Sequence, residues 1–171
     1  MRFRLVATVV SSLIMFAVPL RAAEPALSAV EAAVAEQVAA DQVTIVHFWA
    51  SWCPNCKSEH ADDGWRSFVA ANPEVKVIFV SIWGSDASDR QMLENYGLTA
   101  LPNFQAFRHP NQSRKGDERM THFLGVPVTW VPSTWVYRKG RLRYALNYGE
   151  VRFDLLAQLV ADSTASWSQR K

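Results

Sequence analysis

Apolar residues recur along the chain with two different periods. From Leu27 to Asp41, Val30, Ala33, Val34 and Val38 return every three to four positions, which predicts a helix lying on a core, and Ser28 with Glu31 has capping-box spacing. Val43 to Trp49 is apolar on both faces apart from Thr44 and His47, the pattern of a central strand covered on each side. A second helical pattern follows Cys53 and runs to about Ala70, with Ala61, Trp65, Phe68 and Val69 toward the sheet and Gly64 as the place for a bend. Val75 to Ile82 reads as another buried strand, Ser88 to Tyr96 as a short helix, and Phe104 to Phe107 as a short strand. Thr134 to Tyr137 and the alternating Leu142, Tyr144 and Leu146 predict an antiparallel hairpin, and Val151 to Ala161 a closing helix with Phe153, Leu156, Ala157 and Val160 inward. Strands alternating with helices predict one α/β domain.

The first residues break this pattern. Arg2 and Arg4, an apolar run from Leu5 to Leu20, and Arg21-Ala22-Ala23 have the layout of a secretory signal peptide, so residues 1–23 are expected to direct export and 24–171 to form a single domain with its core at about 43–162. Cleavage after Ala22 or Ala23 is expected; the alternative is an uncleaved membrane anchor. Losing three arginines and no acids takes the formal charge from +2 to −1. Charges of both signs are scattered, so no basic face exists to neutralise nucleic-acid phosphates.

Chemistry concentrates in Trp49-Ala50-Ser51-Trp52-Cys53-Pro54-Asn55-Cys56-Lys57, which holds the only two cysteines. Pro54 suits the first turn of a helix, which puts Cys53 at a helix N-terminus, where unpaired N–H groups and the helix dipole favour a thiolate. Cys56, one turn further on, is placed to attack a mixed disulfide formed at Cys53. A structural cystine across two residues would close too small a loop to stabilise much, and a zinc site lacks further ligands at suitable spacing. A Cu(I) site on the two thiolates is the rival chemistry, weakened by the absence of a methionine cluster.

Phe48-Trp49-Ala50-Ser51-Trp52-Cys53-Pro54-Asn55-Cys56-Lys57, followed by Val131-Pro132-Ser133-Thr134-Trp135-Val136 and Lys139-Gly140, resembles the thioredoxin superfamily, most closely its TlpA/DsbE-type envelope branch. The resemblance implies a thioredoxin fold, a central mixed β-sheet flanked by helices, with a TlpA-type insertion before a cis-Pro loop at Val131-Pro132. It implies catalysis by Cys53 and Cys56 without a cofactor, support from Trp52, Pro54 and Asn55, and substrate backbone held at Val131 and Pro132. His47 stands where relatives carry a buried acid or Asn. Its two readings are a relay for the Cys56 proton and a satisfied core histidine. By the same resemblance the protein is expected in the periplasm, exchanging electrons with protein cysteines or disulfides and drawing them from a membrane partner of the DsbD/CcdA kind. Reductase is preferred over disulfide-forming oxidase on likeness alone.

Three further expectations concern the surroundings. Glu59 and His60 lie one turn past the dithiol, and Glu59 is expected on a solvated helix face. Trp52 and Trp130 are expected to form an apolar rim. Arg108 to Arg119 reads as a polar surface loop whose four basic residues, Arg108, Arg114, Lys115 and Arg119, are either solvated, the preferred reading, or able to steer an acidic partner.

Overall fold

A computed structural model describes residues 26–84, 88–147 and 149–165 of the 171. The expected leader, residues 1–23, lies outside them. Among the described residues no helix is long and apolar enough to cross a membrane.

Helix α1 (Ala29–Ala39) opens on the expected capping box: Ser28 Oγ accepts from the Glu31 amide at 3.2 Å, and the Ser28 amide donates to Glu31 Oε2 at 3.0 Å. Only Val34 and Val38 of its stripe are fully buried. Strand β1 (Val43–Trp49) is buried at every position. It pairs in parallel with β2 (Lys76–Ser81) and antiparallel with β6 (Ser133–Arg138), while β3 (Phe104–Arg108) and β7 (Arg141–Leu146) form the edges. The order β3-β2-β1-β6-β7 makes one mixed five-stranded sheet, as expected of the thioredoxin fold. The β-branched and aromatic side chains of β1 and β2 make the core, each contributing about 1.5–3 kcal/mol on full burial. Helix α4 (Ser88–Asn95) carries the chain from β2 to β3. A two-stranded ribbon, β4 (His122–Phe123) and β5 (Val126–Pro127), precedes the loop into β6. Thus β3, its following loop and the ribbon fill the stretch before the Pro132 loop.

Two expectations about helices need correction. The helix after Cys53 is not continuous to Ala70: α2 (Pro54–Ser58) ends after five residues, a 3₁₀ turn covers Ala61–Asp63, and α3 (Gly64–Ala71) restarts. The break is made by Asp62 and Asp63, both left-handed at φ 51° and 57°, and not by Gly64, which is helical at φ −44°. Gly64 serves close approach, since a Cβ there would lie 2.5 Å from Phe153 Cε2 and 2.6 Å from the Glu59 carbonyl oxygen. Helix α5 (Phe153–Thr164) runs past Ala161; it buries Leu156, Val160 and Ser163, while Ala157 faces outward.

Candidate active site

Because β1 and β6 are antiparallel, the C-terminal end of one lies beside the N-terminal end of the other, with Phe48 opposite Ser133. The turn after β1 and the loop before β6 therefore meet, although 78 residues separate Cys53 from Val131. The Cys53 thiol donates to the Val131 carbonyl at 3.6 Å, and the Val131-Pro132 bond is cis. Pro127, the other sequence candidate, lies in β5.

Cys53 caps α2, with Pro54 as the first helical residue; its Sγ accepts from the Cys56 amide at 3.4 Å. Both cysteines are free thiols. Cys53 is 5% exposed and Cys56 fully buried, so the turn presents one sulfur toward the surface and hides the other. Burial, then the hydrogen bond with Cys53, push the Cys56 thiol far up, and the charge of Glu59 adds to this.

Beneath Cys56 lies a buried polar cluster. The β1–β6 register sets His47 opposite Thr134, and His47 Nδ1 stands 2.9 Å from Thr134 Oγ1. On the other side, His47 Nε2 lies 3.1 Å from Glu59 Oε2, at ion-pair distance but without hydrogen-bond alignment. Glu59 Oε2 also accepts from Trp65 Nε1 at 3.1 Å, and Oε1 from the Val151 amide at 2.7 Å. Burial pushes the Glu59 carboxyl up, yet the His47 charge and these donors outweigh it, so it sits below the ordinary carboxylate range. Glu59 is thus not on a solvated face: it is 4% exposed. Glu59 follows the buried Cys56 by three residues and keeps helical backbone, so helical spacing itself puts it on the inward face, with His60 beside it. His60 is buried next to it, stacked on Tyr96 with ring centroids 4.0 Å apart; burial, then the His47 charge, push it down to about 4.

Around Cys53 the surface is aromatic. Trp52 and Trp130 are 38% and 47% exposed, as the rim expectation requires, and Pro54 and Asn55 are also exposed. Trp52 Nε1 donates to the Trp83 carbonyl at 2.6 Å, which fixes the ring. The loop after β3 is not simply solvated: Arg114 lies over the Trp52 ring at 4.0 Å and Arg119 over Trp83 at 4.8 Å. A cavity of about 390 Å3 between α4 and β3, lined by Trp49, Asp89, Leu93 and Phe104 among others, does not include the dithiol.

Every residue singled out from the sequence thus falls in this neighbourhood: Trp52, Cys53, Pro54, Asn55 and Cys56 in the turn, Val131 and Pro132 facing it, and His47 below. Sequence reasoning placed Trp65 on the inward helical face and counted Arg114 among four cations that could steer an acidic partner, but it missed the place of Thr134 beside His47 and the contacts of Trp65 with Glu59 and of Arg114 with Trp52, which only the tertiary fold brings together.

The profile of the thioredoxin-like domain family matches residues 30–164. Sporulation thiol-disulfide oxidoreductase A of Bacillus subtilis is 40% identical over 57 residues, and the thiol:disulfide interchange protein DsbE of Allochromatium vinosum 38% identical over 56. These alignments span 32% and 33% of this chain and only 33% and 29% of the two relatives. In three dimensions the chain is similar to a secreted disulfide oxidoreductase of Mycobacterium tuberculosis homologous to DsbE, with a TM-score of 0.53 and 21% identity over 74% of this chain and 85% of the other. A DsbF homologue from Corynebacterium diphtheriae gives 0.53 and 19% over 72% and 73%. At such identities the two structures speak for the fold alone. With a family match over most of its length and the sheet order of that fold, the chain belongs to the thioredoxin-like domain family.

Proposed function

We propose that this protein is an exported thiol–disulfide oxidoreductase that reduces disulfides of other proteins in the periplasm. The observation that carries the reading is the asymmetry of the dithiol: Cys53, 5% exposed, at the start of α2 beside the Val131 carbonyl, and Cys56 fully buried and within reach of the Glu59 charge. The Cys53 thiolate attacks one sulfur of a partner disulfide and the other sulfur leaves as a thiolate. Cys56 then attacks Cys53 Sγ, the Cys53–Cys56 disulfide forms, and the second partner sulfur leaves. Two electrons and two protons have passed to the partner. Val131 and Pro132 hold its extended backbone, in the manner of a strand added to a sheet edge.

A strongly oxidising dithiol is one whose reduced, thiolate-bearing form is stabilised. Here burial and the Glu59 charge keep Cys56 a thiol, so Cys56 adds no stabilisation of that kind; this is compatible with the reductase reading, which rests on family likeness. The Cys56 proton must leave before it can attack; the buried Glu59–His47–Thr134 cluster is the acceptor we assign. Electrons are resupplied by a membrane protein of the DsbD/CcdA kind. The two relatives matched in sequence, a thiol-disulfide oxidoreductase and a thiol:disulfide interchange protein, support the same chemistry.

Trapping tests the order of events. A Cys56→Ala variant incubated with a disulfide-linked peptide is expected to accumulate a mixed disulfide at Cys53, and Cys53→Ala none. Equal trapping at either cysteine, or turnover by the double variant, contradicts the mechanism.

A further inference from the structure

The loop between β3 and β4 is tied to the end of β2 by contacts more specific than a solvated connection requires. Gln112 Nε2 donates to the carbonyls of Ser81 at 3.0 Å and His109 at 2.7 Å, and its Oε1 accepts from the Gly84 amide at 3.2 Å. Asn111 Oδ1 accepts from the Ser113 amide at 2.9 Å, and Asn111 Nδ2 donates to the Glu118 carbonyl at 2.8 Å. At the far end, Trp83 Nε1 donates to the Met120 carbonyl at 2.9 Å. These ties lay Arg114 on Trp52. Gly84 leaves room for it: with φ at +83°, a Cβ there would stand 2.7 Å from Arg114 Cδ.

The result is a guanidinium placed on the exposed aromatic side chain next to Cys53. Stacking occupies the face of the guanidinium and leaves its N–H groups, which lie in its plane, able to grip a carboxylate. Arg114 is exposed, and no carboxylate lies within ion-pair distance of it among the described residues, whereas Lys115 on the same loop is already paired with Glu118 at 3.3 Å. Lys57, directly after Cys56, is likewise exposed and without a carboxylate partner among those residues. Two uncommitted cations therefore flank the dithiol, one of them pre-positioned, and the neighbouring rim is uncharged Trp130.

We infer that Arg114, held on Trp52, is a specificity-determining residue that selects partner segments with an acidic side chain next to the reacting cysteine. This rests on the proposed exchange at Cys53 and names its substrate class: an extended acidic segment, lying across Val131 with its carboxylate on the Trp52 side. Ordering is already achieved in the free protein, so the partner does not lose affinity to fixing this side chain.

The test uses the reduced protein and two disulfide-linked homodimeric peptides, identical except that Glu or Lys flanks the single cysteine. In each reaction the dithiol becomes the Cys53–Cys56 disulfide and the peptide disulfide becomes two thiols. The ratio of the two second-order rates cancels any change in dithiol reactivity. The wild type is expected to favour the Glu peptide by about tenfold at low salt, narrowing as ionic strength screens the contact. Arg114→Lys keeps the charge but loses the stacked fork and so retains only part of the preference, and Arg114→Glu lowers the ratio at least as much as Arg114→Gln. A ratio unchanged in Arg114→Gln and Arg114→Glu, or no salt dependence in the wild type, overturns this inference while leaving exchange intact. Failure to reduce either peptide instead overturns the proposed exchange itself.

Discussion

Cys53 and Cys56 lie three residues apart in one turn, yet they face two different media. Cys56 looks into a dry interior where every neighbour is fixed and charge is costly: His47 is wedged between Thr134 and Glu59, and Glu59 is held by Trp65 and the Val151 amide. Cys53 looks onto an open rim of Trp52, Trp130 and Arg114, where contacts are few and solvent screens charge. The contrast separates two tasks. On the proposed mechanism, control of protons belongs inside, where a single charge acts strongly, and choice of partner outside, where side chains can be contacted without disturbing the dithiol.

Substitutions break this division unequally. Cys53→Ala removes the attacking sulfur and is expected to reduce peptide exchange by more than about a thousandfold in a stopped-flow assay, in the range seen when a nucleophile is deleted. Glu59→Ala comes next. It leaves His47, the Trp65 indole N–H and the Val151 amide facing an emptied buried site, and should cost about 3 kcal/mol in denaturant unfolding. Glu59→Gln keeps the volume and part of the hydrogen bonding, so it should lose less stability while slowing resolution of the mixed disulfide and changing the pH profile of that step. A purely structural Glu59 would leave the profile unmoved.

The interior also predicts a pH dependence. His60 is neutral in the fold down to about 4, against an ordinary 6.5, so between these values the unfolded chain binds a proton that the folded chain refuses. Stability from this group is complete above pH 6.5 and falls as pH drops toward 4, with a limiting slope of about 1.4 kcal/mol per unit. Glu59, lowered in the fold, contributes fully above about 4.5 and is lost only as the pH falls through its lower folded value. Urea unfolding at several pH values should therefore show a His60 window that His60→Phe flattens, since Phe keeps a ring on Tyr96 without a proton site. On the rim the expected stability effect is smallest. Trp130→Ala should change unfolding free energy by no more than about 0.5 kcal/mol while slowing capture of peptide disulfides. A large loss of stability there would erase the distinction between the two sides.

Much of this was legible in the chain. Strand β1 and the Cys-Pro-Asn-Cys turn could be placed because an uninterrupted β-branched run and a proline at the first helical position are local signals. Pro132 could be preferred over Pro127 because a strand follows it. What escaped depended on backbone conformations with no period and on tertiary partners. Two consecutive aspartates in the left-handed region separate α2 from α3, while Glu59, three residues after the buried Cys56, was expected at the surface because a charge in a helix is usually solvated and its partner His47 lies on a strand. Arg114 was legible as one of four cations that could steer an acidic partner, but its seat on Trp52 was not, because the loop's side-chain ties through Gln112 and Asn111 show only in the fold.

The most direct test is the reduction potential of the Cys53–Cys56 pair in the purified protein, equilibrated in glutathione buffers. The assignment as a reductase predicts a value near or below about −270 mV, that of a reducing dithiol; a value near about −120 mV would mean the reduced form is strongly stabilised, and would contradict that assignment.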